Sequence, residues 1–130
     1  MNKYTKWVSW VLQAIVAIIL LQTLYFKFTS QPVSIELFSI LGVEPWGRYL
    51  VGIIELVTGV MLLVPATIVI GATLAVLVGA GAILTHIFFI GIDFGGDISL
   101  FLLAIAVLVL SAIILYLRLK KDKIKYTKNK

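Results

Sequence analysis

Four apolar runs, near residues 7–26, 46–64, 68–91 and 98–117, divide the 130-residue chain, and each is long enough to cross a bilayer. A helix rises about 1.5 Å per residue and a hydrocarbon core is about 30 Å thick, so about 20 apolar residues make one crossing. Backbone amides in lipid have no water to bond, which restricts spanning structures to helices and closed barrels. The runs are too long for the ~10-residue alternating strands of a barrel. The expected fold is all-α: a transmembrane four-helix bundle, one domain over 1–130. Composition agrees, with 62% hydrophobic and 13% charged residues and a mean hydropathy of +1.13. Those values leave no room for a soluble domain.

The first run follows Lys3 and Lys6, as a signal peptide would, but its apolar stretch is too long and no small-x-small cleavage site follows, so it reads as a retained helix. The connections are unequal. Between the second and third runs only "VPAT" remains, a tight turn in which Pro65 interrupts helical bonding. In "GIDFGGD", Gly91 can end one helix and Asp97 can cap the next. The first connection is long, and within it "VSIELFSILG" reads as a short interfacial helix that ends at Gly42, before Pro45 opens the second span.

Basic residues set the expected orientation. Lys3 and Lys6 lie at one end, and the tail 118–130 carries Arg118 with six lysines, so with four spans both termini are expected in the cytoplasm of a multi-pass protein of the cell membrane. A basic stop after the last span accounts for the tail without nucleic acid as a partner.

With the termini inside, the long connection and the "DFGGD" turn face outward. At about 1.5 Å per residue, Gln22 lies ~7 Å below Lys27, Glu55 ~10 Å below Arg48 and His86 ~10 Å below Asp93. Three helices thus bring polar groups to one depth in the outer leaflet, while Gln13 lies toward the inner side. An ionised side chain at mid-membrane costs ~2.5 to 3.5 kcal/mol on insertion scales, so Glu55 is expected to face inward, with Arg48, Lys27 or His86 as its partner. Arg48, Gly52, Glu55 and Gly59 share a helix face, and the two glycines would let a neighbouring backbone approach closely. Ala72, Ala75, Gly79, Ala82 and His86 form a second seam of small residues with the histidine at its outer end.

Plain structural readings stand beside these. Gln13 and Gln22 can serve as hydrogen bonders between helices. Thr85 can bond its own backbone four residues back, His86 can be a satisfied structural histidine, and Trp7, Trp10, Trp46 and Tyr49 suit the membrane interface. The chain has no cysteine and one histidine, so it cannot supply a dithiol, an iron–sulfur cluster or a bis-histidine haem, and no metal-ligand set is expected.

"LVGIIELVTGVMLLVP" in the second span, "GAGAILTH" in the third, and the aromatic-rich end of the first leading into "FKF" resemble the DoxX-like family of small four-helix membrane proteins. By that resemblance Lys27, Glu55, Thr85 and His86 are the family's polar positions. One departure is "TLYFKF", with aromatics where relatives often carry a small residue before the lysine. The resemblance implies a subunit or partner of a membrane redox assembly of the thiosulfate:quinone oxidoreductase kind, with a quinone or lipid-like ligand and a redox-enzyme partner. A quinone needs only an apolar cleft, one or two hydrogen-bond donors and a proton-exchanging group. The pocket candidates are Glu55, His86, Lys27, Arg48, Thr85 and Gln22. No catalytic residue is assigned, and catalysis by the chain alone is not expected. A small transporter or proton-coupled channel, and an assembly scaffold whose polar residues are interhelical glue, are the alternatives. Contact with membrane lipid is expected, and homo-oligomerisation stays open.

Overall fold

Asn2 opens the first helix, its side-chain oxygen accepting from the Thr5 N–H at 2.8 Å. The cap starts α1 at Lys3, ahead of the apolar run, and the helix extends through Phe28. The computed structural model describes residues 1–128, with side-chain surroundings for residues 1–120 other than Gly95. Pro32 occupies the first turn of α2 (Pro32–Ile40), where its missing N–H leaves no bond unmade. Gly42, at a φ of +75°, carries the chain out of that helix. Next come α3 (Trp46–Leu63), a 3-10 turn at Pro65–Thr67, and α4 (Ile68–Thr85), which continues through one π-helical turn, His86–Ile90. That turn closes where the Gly91 N–H donates to the His86 carbonyl at 2.7 Å, and Gly91 takes a φ of +85°. A second 3-10 turn, Phe94–Gly96, leads to α5 (Ser99–Lys128).

Four helical stretches, Lys3–Phe28, Trp46–Leu63, Pro65–Ile90 and Ser99–Lys120, are long and apolar enough to cross a membrane. The expected four-helix, all-α architecture is therefore present, with a short extra helix in the first connection. Helix α1 packs on α3 and α5, α4 packs on the same two, and α2 lies across one end against α1, α3 and the π turn. We term the end covered by α2 the connector end and the opposite one the terminal end. The basic tail continues α5 through Lys128, while the side chains of the lysines beyond Lys120 lie outside the described residues.

Leu62, Ile114 and Val16 are fully buried at the centre, whereas Leu77, Ile70 and Leu102 turn outward. Such a surface suits lipid, and because lipid is as apolar as leucine, helix association depends on close packing. The closest approaches to a neighbouring backbone lie on α4. A Cβ on Gly79 would stand 2.9 Å from the backbone nitrogen of Leu108, and one on Gly71 would stand 3.0 Å from that of Leu62. The small-residue seam ending at His86 thus packs inside the bundle. The glycines flanking Glu55 behave otherwise: a Cβ on Gly59 would meet the Leu21 side chain at 3.6 Å, and one on Gly52 the Phe28 ring at 3.0 Å. Side chains cover Gly52, and at Gly59 the nearest backbone atom, the Ala17 carbonyl oxygen, would stand 4.0 Å from the Cβ, so the expected backbone approach beside the carboxylate is looser than on α4.

At the terminal end a buried polar set ties three helices together. Gln13 donates from Nε2 to the Leu62 carbonyl at 2.8 Å, and its Oε1 accepts from Ser9 at 2.7 Å and from Arg118 Nη2 at 2.9 Å. Ser9 Oγ also accepts from Arg118 Nε at 3.0 Å. Gln13 is thus the interhelical bonder that the plain reading proposed. Arg118, the first residue of the basic tail, is buried against α1 with its guanidinium near the Trp10 ring. Position after the apolar run did not reveal this, because the partners lie on α1.

Candidate functional site

Glu55 is 4% exposed and has two partners, both from α1. Lys27 Nζ stands 2.9 Å from Oε1, and the Thr23 hydroxyl bonds Oε2. Thr23 Oγ1 is also 2.9 Å from the Leu20 carbonyl, so its single proton serves two acceptors in turn. Thr23 and Lys27 stand four residues apart on one helix face, which lets one strip of α1 clasp both carboxylate oxygens. The shared face of Thr23 and Lys27 was visible in the sequence. Thr23's role was missed because a threonine in a span satisfies itself on its own backbone, as Thr85 does on Gly81 at 2.8 Å.

Arg48 is buried but bonds elsewhere. Its Nε lies 2.9 and 3.0 Å from the two Glu44 oxygens, its Nη2 bonds the same carboxylate at 2.9 Å, and its Nη1 donates to Ser30 Oγ at 3.0 Å and to the Lys27 backbone carbonyl. The last turn of a helix leaves carbonyls without intrahelical donors, and Arg48 fills one of these at the end of α1. It also lies against the Tyr49 ring, 4.5 Å from guanidinium carbon to centroid. Of the three cations expected near Glu55, Lys27 is its partner, and Arg48 and His86 are engaged apart from it.

His86, 4% exposed, points Nδ1 at the Gly91 carbonyl, 2.9 Å away, and sets its ring edge-on to Phe101. A carbonyl only accepts, so Nδ1 carries the hydrogen, and in the neutral ring Nε2 then presents a lone pair. The π turn creates this geometry, since its wider loop brings Gly91 back over the histidine. Nε2 has no hydrogen-bond partner among the described residues.

A half-open cavity of about 630 Å³ occupies the connector half of the bundle, lined by α1, α3, α4 and α5 and, at its end, by α2. Lys27, Glu55, Thr23, Thr85 and His86 reach its wall; Gln22 and Arg48 do not. Gln22 is exposed on the outer side of α1, one position away from the face that carries Thr23. Most of the remaining lining is apolar, from Leu20 and Val51 to Leu103 and Val107. An ammonium that gives one bond to Glu55 and an imidazole nitrogen free to accept therefore share one largely apolar chamber. On its wall, Asp97 Oδ1 accepts from the Ser99 N–H at 2.9 Å and from the Ser99 hydroxyl at 2.7 Å, capping α5. The Ser99 hydroxyl, followed by its backbone N–H, holds the Asp97 carboxyl below its ordinary range.

In comparison with known proteins, a model of the DoxX-like family matches residues 11–114, which cover the second and third spans, most of the first and last, and the lining of the chamber. No curated protein and no solved structure matches the chain.

Proposed function

The chain belongs to the DoxX-like family of integral membrane proteins, and on that premise we propose that its chamber binds a quinone-like lipid as part of a membrane redox assembly. The observation that carries this reading is the pairing of a donor, Lys27, with an acceptor, His86 Nε2, inside an apolar cavity of about 630 Å³. Such a chamber suits a ring bearing a carbonyl or hydroxyl at each end and an apolar tail. A bound quinone would supply two-electron, two-proton redox chemistry. Lys27 would donate to a ring oxygen while Glu55 holds its ammonium in place, and His86 would accept from the opposite hydroxyl. With no cysteine and one histidine, the chain has no electron-carrying ligands of its own, so electrons would come from a partner subunit.

The alternatives fit less of the site. In a scaffold the Lys27–Glu55 pair would be glue, but His86 Nε2 would have no task. Transport would need relays across the bundle, and on α1 the buried Val16 and Leu20 separate Gln13 from Thr23. The lysine asymmetry places both termini in the cytoplasm under this proposal, with the chamber in the outer leaflet. A reporter fused after Lys130 tests that orientation, and activity on the far side of the membrane would reverse it.

The ligand reading is tested by titrating the protein in nanodiscs with a short-tailed benzoquinone and following tryptophan fluorescence. Saturable binding is expected, weakened about ten-fold in Lys27→Met and in His86→Leu, since each removes about one charge-assisted or buried hydrogen bond. Absence of saturable binding, or wild-type affinity in both variants, overturns the proposal.

A further inference from the structure

Helices α3 and α4 are joined by the short turn at Pro65–Thr67 and run side by side from it. Near the turn they touch closely, with a Cβ on Gly71 only 3.0 Å from the backbone of Met61 and Leu62. Farther along, the seam opens. At about 1.5 Å per residue, Ile54 and Leu77 lie about 16 and 15 Å from the turn, and Val51 and Gly81 both lie about 21 Å from it. The residues of each pair thus stand at matching depth on the two helices. A Cβ on Gly81 would have nothing within 4 Å. Ile54 is 40% and Leu77 62% exposed, yet all four residues also line the chamber. One set of side chains thus borders both the lipid-facing surface and the cavity that holds Lys27, Glu55 and His86.

We propose that the slot between α3 and α4, framed by Val51, Ile54, Leu77 and Gly81, is a lateral portal through which a membrane-dissolved molecule with a polar, hydrogen-bonding head and an apolar tail reaches the chamber. The inference rests on the ligand reading above and adds the route and the class of molecule. The unpartnered Nε2 of the buried His86 gives the chamber a use for a hydroxyl-bearing head. The apolar frame of the slot suits a tail that stays in lipid, because the four residues that form it carry no polar side chain and the Gly81 carbonyl is already bonded by the Thr85 hydroxyl. Glycine at position 81 keeps the slot wide where any side chain would project into it.

The chain has no cysteine, so one introduced thiol can be labelled alone. A bimane on Ala104→Cys, inside the chamber, is read in nanodiscs made with phospholipids brominated on their acyl chains. Ile53→Cys, lipid-facing and outside the chamber, serves as reference. The portal predicts quenching at both sites, and Gly81→Phe should then reduce it about two-fold or more at Ala104 while leaving Ile53 unchanged, because access is limited by the slot. Where the Ala104 label lowers the unfolding midpoint, Thr85→Cys, also on the chamber wall, replaces it. An unquenched chamber label means that another helix covers the slot or that access is from water, and quenching indifferent to Gly81→Phe means another route; either overturns the portal. No bound quinone is needed for this readout, so its failure is separable from failure of the benzoquinone titration.

Discussion

Arg48 holds Lys27 by its backbone carbonyl, and Lys27 in turn gives its ammonium to Glu55. The guanidinium is therefore one residue removed from the carboxylate. Its planar fork serves Glu44, Ser30 and the end of α1 at once, and so fixes where Lys27 begins its reach into the chamber.

Replacing the fork by a single ammonium should separate these tasks. Arg48→Lys keeps the charge but cannot reach all three partners, so the bundle should lose about 1–3 kcal/mol of stability. Thermal unfolding in detergent measures this. An unchanged midpoint would mean that the end of α1 does not depend on Arg48.

Glycine tolerance should follow backbone proximity. Gly79→Ala places a Cβ 2.9 Å from the Leu108 nitrogen and must push α4 and α5 apart, at a cost of about 1–3 kcal/mol. At Gly59 the nearest atom would be a flexible leucine methyl at 3.6 Å, so Gly59→Ala should leave the unfolding midpoint nearly unchanged. A reversed order would show that the α3 face, and not α4, carries the tight contact.

These contrasts show which features a single sequence discloses. Span number, the Gly42 and Gly91 helix ends and the Asp97 cap follow from local rules of hydropathy and capping, and all are present. The lengths of α1 and α5 exceeded the apolar runs because the Asn2 cap and the lysine-rich tail extend helices beyond what hydropathy detects. Helical periodicity put Glu55 and His86 on inward faces, but it could not choose among partners. Glu44 captured Arg48 from outside the apolar run, and the π turn gave His86 a carbonyl that no periodic pattern anticipates. The partners of Arg118 were hidden for the same reason, since Ser9 and Gln13 lie more than a hundred residues away in sequence.

Acid should loosen the start of α5 at one defined point. Asp97 has its pKa lowered from 3.8, chiefly by the Ser99 hydroxyl. A carboxyl with a depressed folded pKa contributes stability above the unfolded value and loses it as the pH falls through the folded one. The start of α5 should therefore stay capped at neutral pH and fray only below the ordinary carboxylate range. The Ser99 amide proton shift, followed by NMR in detergent, should titrate with a midpoint below 3.8, and Asp97→Ala should abolish that titration. A midpoint above the ordinary value would contradict the cap.

Native mass spectrometry of the gently purified protein, with organic extraction of whatever it carries, tests the ligand-binding chamber most directly. The account predicts that the wild type retains a redox-active isoprenoid lipid, and that Lys27→Met and His86→Leu, each folded with its own unfolding midpoint verified, lose it. Wild-type protein without such a lipid under conditions that preserve annular phospholipid, or variants that retain it as fully, would contradict the account and leave Lys27–Glu55 as an interhelical bond and His86 as a structural histidine.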